Sequence, residues 1–281
     1  MSILEVDRLT KRYSKTHALD AVSFAVRRGE LFAYLGPNGS GKTTTIRILN
    51  GLCVPSSGSV RFEGNDLFSQ GRKARTYFGL VPQSINLDRD LTVEHNLDLH
   101  GRYFSVPPRT RQSRISNLLA ITGLSDRSKS PVKHLSGGFQ RRVMIVRALV
   151  HAPKMLFLDE PTVGLDPAIR RQIWALIKQI QQDGTTIFLT THYIEEAELL
   201  ADRVALLCEG KVIVIDHPRN LISRLGSWAV DRYEAGQMKS TYYNSRFEAI
   251  ETAKVEGNGF QLRRINLEDA YLQLTGKRVK T

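Results

Sequence analysis

A lysine and a threonine close the glycine-rich run Gly36-Pro37-Asn38-Gly39-Ser40-Gly41-Lys42-Thr43, at the spacing that phosphate binding requires. The run fits G-x-x-x-x-G-K-[ST]. The apolar stretch Leu31–Leu35 precedes it, and Thr44 to Asn50 follows with apolar residues at 46 and 49, as a helix would place them. Glycines 36, 39 and 41 let the backbone curl until successive N–H groups point inward at a β-phosphate, and the helix that follows adds its positive end. Lys42 would then neutralise β- and γ-phosphate charge, and the Thr43 hydroxyl would ligate Mg²⁺, with Thr44 beside it at the helix start. A surface turn could match the pattern by chance, but the flanking strand and helix argue against that reading.

Phosphoryl chemistry also needs a carboxylate at the end of a second buried strand. Met155-Leu156-Phe157-Leu158-Asp159-Glu160 supplies two. Asp159 would hold Mg²⁺, directly or through water, and Glu160 would orient and polarise the water that attacks the γ-phosphate. Nucleotide use follows from these two motifs; the task does not, since kinases, GTPases, helicases and transporters share them.

A third motif separates these tasks. Leu135-Ser136-Gly137-Gly138-Phe139-Gln140-Arg141-Arg142 begins 24 residues before Asp159 and opens an apolar helix. It closely resembles the LSGGQ signature of ATP-binding cassette (ABC) proteins, and from about residue 2 to about residue 220 the chain resembles the nucleotide-binding subunit of an ABC transporter. The resemblance implies that Ser136, the amides of Gly137 and Gly138 and the helix N-terminus face the γ-phosphate held by the other cassette of a pair, so that two chains sandwich two ATP. It also implies roles for single residues. Gln83, in Gly79-Leu-Val-Pro-Gln83, matches the glutamine that reaches Mg²⁺ and the attacking water. Asp166, in Gly164-Leu-Asp166, matches the loop aspartate that touches the opposite site, and it can cap a helix as well. His192, in Leu189-Thr-Thr-His192, matches the histidine that contacts the γ-phosphate, and Tyr13, 23 residues before Gly36, the aromatic that stacks on adenine. Phe139 stands where many members have Gln; the phosphate contacts come from Ser136 and the Gly138 backbone, so ATP binding should survive. The pieces Thr190-Thr-His192-Tyr-Ile-Glu-Glu-Ala197 and Asn266 to Gly276 look like bacterial type-2 exporters of drugs, polysaccharides or lipid-linked substrates.

The elements that must position these residues can be read from periodicity. Ile3–Leu9, Ala18–Val26, Leu31–Leu35 and Ser59–Glu63 read as strands, residues 92–150 as mostly helical, and Lys154–Leu158 as the return to a buried strand. Pro167 begins a helix with apolar residues at 169, 173, 176, 177 and 180, stopped at Gly184. Strand Thr185–Thr191, helix Ile194–Ala201 and the strands Val204–Cys208 and Lys211–Asp216 follow. Beyond Pro218 the expected elements are short strands near Tyr233 and Phe260 and a terminal helix at Leu267–Leu274. The predicted fold is α/β, a P-loop NTPase core with an N-terminal antiparallel β-subdomain, an inserted α-helical signature subdomain (about 84–150) and a small C-terminal appendage. The predicted domains are 1–220 for the ATPase and 221–281 for the appendage.

Composition bounds the setting. The chain has 281 residues, 41% hydrophobic and 24% charged, with 40 Lys+Arg against 28 Asp+Glu, a net charge of +12. Disorder and fibrous architectures are excluded. The basic balance raises nucleic acid or an anionic membrane as partners. Counted over residues 101–155, eleven basic side chains (Arg102, Arg109, Arg111, Arg114, Arg127, Lys129, Lys133, Arg141, Arg142, Arg147, Lys154) oppose only Asp126. That concentration suggests a local face near the nucleotide phosphates and the inner leaflet rather than a nucleic-acid surface. Two cysteines and an opening without a signal-peptide layout predict a reducing, cytoplasmic setting. No apolar run approaches the ~18–20 residues of a membrane-spanning helix, so at a membrane something else must span it, and the resemblance implies that this is a separate integral membrane permease. The expected picture is a homodimer bound to that permease on the cytoplasmic face of the inner membrane, powering export with ATP and Mg²⁺. An importer ATPase and a soluble ABC protein acting on nucleic acid or ribosomes are the alternatives. The latter usually carry two cassettes or a long coiled coil, and neither is present here.

Overall fold

The computed structural model describes residues 1–14, 16–69, 71–234, 237–255 and 259–276. The chain starts with a long antiparallel pair, β1 (Ser2–Tyr13) and β2 (Thr16–Arg27), each 12 residues and interrupted by bulges. Both run past the bounds expected from sequence, because the register shifts at the bulges break the strict alternation. Next, β3 (Leu31–Leu35) is buried at every residue, as a parallel strand covered on both faces must be. It delivers the chain into the glycine-rich loop and α1 (Lys42–Leu49).

The strands β4 (Ser57–Phe62) and β5 (Asn65–Asp66) complete a four-stranded sheet of order β2-β1-β4-β5. After the short α2 (Arg72–Arg75), β6 (Phe78–Val81) pairs in parallel at the edge of the central sheet. Sequence patterning missed β6, since four residues containing Gly79 carry no readable period. Three helices then form the inserted subdomain: α3 (Val93–Tyr103), capped by the Thr92 hydroxyl, α4 (Pro108–Ile121), and α5 (Gly137–Leu149), whose N-cap is Ser136.

The central sheet resumes with β7 (Met155–Asp159), followed by α6 (Pro167–Gln182), β8 (Thr186–Thr191), α7 (Ile194–Leu200) and the antiparallel pair β9 (Arg203–Cys208) and β10 (Lys211–Asp216). Its order is β10-β9-β3-β8-β7-β6. The pairings Leu35↔Thr191 and Asp159↔Thr190 align the carboxyl ends of β3, β8 and β7. Loops leaving three adjacent parallel strands therefore start side by side, at the edge where open α/β sheets bind ligands. An aromatic layer fills the space between the two sheets: Phe24 stacks on Phe32 at 5.5 Å, and Phe78 meets Phe157 edge-on at 5.3 Å.

After α8 (Pro218–Ser223) comes a three-stranded sheet of β11 (Trp228–Glu234), β12 (Gln237–Tyr243) and β13 (Phe260–Arg264), with α9 (Arg246–Val255) against it through Ala249 and Ala253. The sequence anticipated β11 and β13 but neither β12 nor α9. The last helix, α10 (Leu267–Thr275), buries Leu267, Ala270 and Tyr271 in the core of the ATPase, and the Tyr271 hydroxyl donates to Leu207 O at 3.3 Å. No helix among the described residues is long and apolar enough to cross a membrane.

Candidate nucleotide site

The loop after β3 is a backbone cradle that side chains would fill. A Cβ at Gly36 would lie 2.6 Å from Ser40 Oγ and 2.8 Å from Leu207 O; one at Gly41, where φ is +106°, would lie 2.5 Å from Ala18 O. Inside it, the buried Lys42 ammonium donates to Gly36 O at 2.8 Å and Pro37 O at 3.1 Å. Ser40 Oγ is buried without a hydrogen-bond partner, a donor that an anion could satisfy. Gly39 adopts φ +81°, and Asn38 and Gly39 sit at the exposed lip of the loop.

Opposite the cradle, Glu160 is the meeting point of the site. Its backbone is left-handed (φ +48°), held by its amide donating to Thr190 O at 3.0 Å. One carboxylate oxygen lies 3.0 Å from Lys42 Nζ. The other accepts from Gln83 Nε2 at 3.1 Å and stands 3.1 Å from His192 Nδ1. Side chains from three other segments thus converge on one carboxylate that is only 5% exposed. Its neighbour Asp159 accepts from Thr190 Oγ1 at 2.6 Å and from Thr43 Oγ1 at 3.4 Å. Burial pushes the Asp159 carboxyl above its ordinary range, against the hydrogen bond from Thr190. A bound divalent cation would reverse that shift. Thr43, Asp159 and Gln83 offer hard oxygen donors suited to Mg²⁺, and the cradle with its unpaired Ser40 hydroxyl suits phosphate; the residues fit the nucleotide and the metal.

The other residues expected at the site divide into two groups. Tyr13 lies near α1, its half-exposed ring under the Lys11 ammonium at 4.9 Å and its hydroxyl 3.4 Å from Cys53 Sγ. The signature residues stand apart. Ser136 and Gly137 are exposed at the N-terminus of α5, where the Ser136 side chain makes no capping bond. Among the described residues, no hydrogen bond or ion pair joins them to Lys42, Glu160 or His192. Gly138 is buried because a Cβ there would come within 2.6 Å of Ile169 Cγ2. Asp166 is exposed and caps α6, accepting from Ile169 N at 3.0 Å.

Charge counting misread several arginines. Arg141 is 4% exposed and donates to Pro82 O at 2.8 Å and Gln83 O at 2.7 Å, fastening the signature helix to the loop that carries Gln83. Arg147 does the same at Asn86 O, 2.8 Å. Arg111 is buried against Asp98 at 2.5 Å, Lys133 pairs with Asp90 at 3.0 Å and Lys154 with Glu63 at 2.5 Å. The expectation that the excess forms one face toward phosphates and lipid is therefore corrected: the acidic partners Asp98, Asp90 and Glu63 lie outside the counted window, and Arg111, Arg141 and Arg147 are internal fasteners. From sequence, Glu196 reads only as part of the exporter-like stretch after His192, with no role assigned to it. It is wholly buried on α7 and accepts from Thr162 Oγ1 and Trp174 Nε1, each at 2.8 Å.

Comparison with known proteins agrees with this geometry. The sequence profile of ABC transporters matches residues 19–163. A Nod factor export ATP-binding protein I of Ralstonia nicotianae is 37% identical over 99% of this chain and 95% of its own length. The protein of the same name from Sinorhizobium fredii is 37% identical over 99% of this chain and 87% of its own. Among solved structures, cbiO1 from Clostridium perfringens, part of the ABC transporter complex cbiONQ, superposes with a TM-score of 0.73 at 35% identity, over 78% of this chain and 90% of that one. A dimeric ATP-binding cassette in a post-hydrolysis state with ADP and Pi superposes at 0.69 with 29% identity, over 76% of this chain and 98% of that one. The chain belongs to the ABC transporter family and is the ATPase subunit of a transporter, acting on ATP with Mg²⁺.

Proposed function

We propose that two copies of this chain close around two Mg-ATP and drive export through a separate membrane permease, from the cytoplasmic face of the inner membrane. The observation that carries the reading is the division of the site within one chain. Lys42, Gln83, Glu160 and His192 converge, while Ser136 and Gly137 are exposed at a helix N-terminus where, among the described residues, the Ser136 side chain has no capping partner. A second copy supplies each half with its complement, as the solved dimeric relative supports.

Each residue then has a task. The amides of residues 36 to 44 and Lys42 hold the phosphates, and Tyr13 holds the adenine. Thr43, Asp159 and Gln83 would hold Mg²⁺, which would supply positive charge to offset that of the phosphates. Glu160 accepts a proton from the attacking water, and His192 fixes the γ-phosphate beside it. Ser136, Gly137, Gly138 and Asp166 serve the partner's site. Export is supported by relatives whose names state it. A groove of about 900 Å³, lined by Asn86, His100, Tyr103, Phe104 and Arg147, adjoins the segment that follows Gln83 and offers the permease a seat.

The test is purification of the tagged chain from detergent-solubilised native membranes. An integral membrane protein should accompany it in fixed ratio with two copies of the chain, and loss of its gene should leave the substrate inside the cell. Recovery of the chain alone, or with ribosomes, would defeat the proposal.

A further inference from the structure

The mechanism above leaves the wholly buried Glu196 without a task. Glu196 has 0% exposure, no ion pair among the described residues, and a carboxyl that burial pushes above its ordinary range. Such a group is costly to bury, and a Leu or Met of similar volume would fill the space without that cost. Its hydrogen bonds give a reason for its presence. A single oxygen, Oε1, accepts from the Thr162 hydroxyl and from the Trp174 indole, both at 2.8 Å.

The three residues belong to three different segments. Thr162, fully buried, lies two residues after Glu160 and four before Asp166, in the only stretch that links them. Glu196 lies four residues after His192, in the first turn of α7. Trp174 is on α6, the helix that Asp166 caps and whose Ile169 seats Gly138 of the signature helix. The carboxyl of Glu196 is thus the point where the loop after Glu160, the turn after His192 and the helix behind the signature are tied together.

We propose that Glu196 is a positioning residue for ATP hydrolysis, holding the Glu160 and His192 loops in register with each other and with the Asp166 loop through its bonds to Thr162 and Trp174. The inference rests on the assignment of Glu160 and His192 to catalysis. Among the described residues, the backbone bond from Glu160 N to Thr190 O is the one that joins the two loops beyond the strand pairing of β7 with β8. Removal of the carboxyl frees the loops to drift while the phosphate cradle, built on β3 and α1, stays intact. Loss should therefore appear in turnover and not in nucleotide affinity, since misplacement by about 1 Å can cost on the order of 100-fold in rate.

The experiment compares Glu196→Ala and Glu196→Gln in the full chain. It measures kcat, KM and the affinity for a fluorescent ATP analogue, with emission of Trp174 in a Trp228→Phe background as a probe of the junction. The Ala variant should lose on the order of 10- to 100-fold in kcat with nucleotide affinity within about threefold of the parent. The Gln variant keeps an acceptor oxygen for both donors and should recover turnover to within about threefold. The Ala variant should shift Trp174 emission and the Gln variant should not. Should Glu196→Ala fail to fold, Thr162→Val removes one bond while preserving shape, and should lower kcat on its own with affinity unchanged. Unchanged kcat in both the Ala and Val variants, or equal loss in Ala and Gln, would overturn the proposal. Failure of the underlying assignment looks different: full turnover by Glu160→Gln.

Discussion

Replacing Glu160 with Gln tests both the chemistry and the state in which the site is found. The carboxylate lies 3.0 Å from Lys42 Nζ, with both side chains nearly inaccessible. At an effective dielectric constant of about 20, a unit pair at that separation is worth about 5.5 kcal/mol. The proposed role of Lys42 gives the same ammonium to the phosphates of ATP, which requires nucleotide binding to separate the pair. Much of the loss is returned when phosphate replaces carboxylate. If even a quarter persists, it is about 1.4 kcal/mol, tenfold in Kd. Glu160→Gln removes the competing charge while leaving an acceptor for Gln83. It should therefore bind ATP about tenfold more tightly than the parent, and hydrolyse it about 10² to 10⁴ times more slowly because the proton acceptor is gone. Titration with a fluorescent nucleotide measures the first effect and phosphate release the second, and gel filtration with Mg-ATP should show a stable dimer. Weaker ATP binding would refute the competition between Glu160 and phosphate for Lys42. Undiminished turnover would remove Glu160 from its role.

Three further expectations follow from particular contacts. Ser136→Ala should slow hydrolysis at least tenfold with no change in the melting temperature of the chain, because among the described residues its hydroxyl makes no capping bond; an unaltered rate in an ATPase assay would count against a shared site. Gly138→Ala should cost about 1–3 kcal/mol by pressing on Ile169 Cγ2, and Ile169→Ala in the same chain should recover most of it in denaturant unfolding. The third concerns acid. Burial alone would raise the Asp269 carboxyl, but hydrogen bonds from Arg263 at 2.6 and 2.8 Å overcome this and hold it below its ordinary range. A lowered folded pKa makes its contribution complete above about pH 4 and lost as pH falls through the folded value. Acid unfolding followed at Trp228 should move to higher pH in Asp269→Asn, and an unmoved midpoint would show that the pair contributes nothing.

The candidate site was legible because the proposed chemistry fixes residue types at fixed spacing: the glycine cradle, Asp159-Glu160 and His192 all sit at strand ends that patterning also found. Motifs record which loops matter, however, and not what each side chain touches. Nothing in the sequence places Glu160 against Lys42, Gln83 and His192 at once. Arg141 reads as one more cation on a basic helix; only the fold shows it turned inward to the carbonyls of Pro82 and Gln83. Glu196 reads as an ordinary acid in a helix first turn, because burial of a carboxyl by neutral donors leaves no periodic trace. In the C-terminal region, β12 is mostly polar and α9 contributes mainly alanines to its contact, so neither rose above the pattern of a loop.

The route of α10 has a practical consequence. Leu267 N donates to Glu198 Oε2 at 2.8 Å, and the Tyr271 ring is wholly buried in the ATPase core. A fragment ending at residue 220 would look like a tidy catalytic unit on a linear map. It would instead open a greasy scar beside α7, a few residues from His192, and leave Glu198 without its backbone donor. Such a fragment should clump on heating and turn over poorly even with every nucleotide-binding motif in place. Trimming for crystallisation or for chimeric transporters should keep the chain through its last helix.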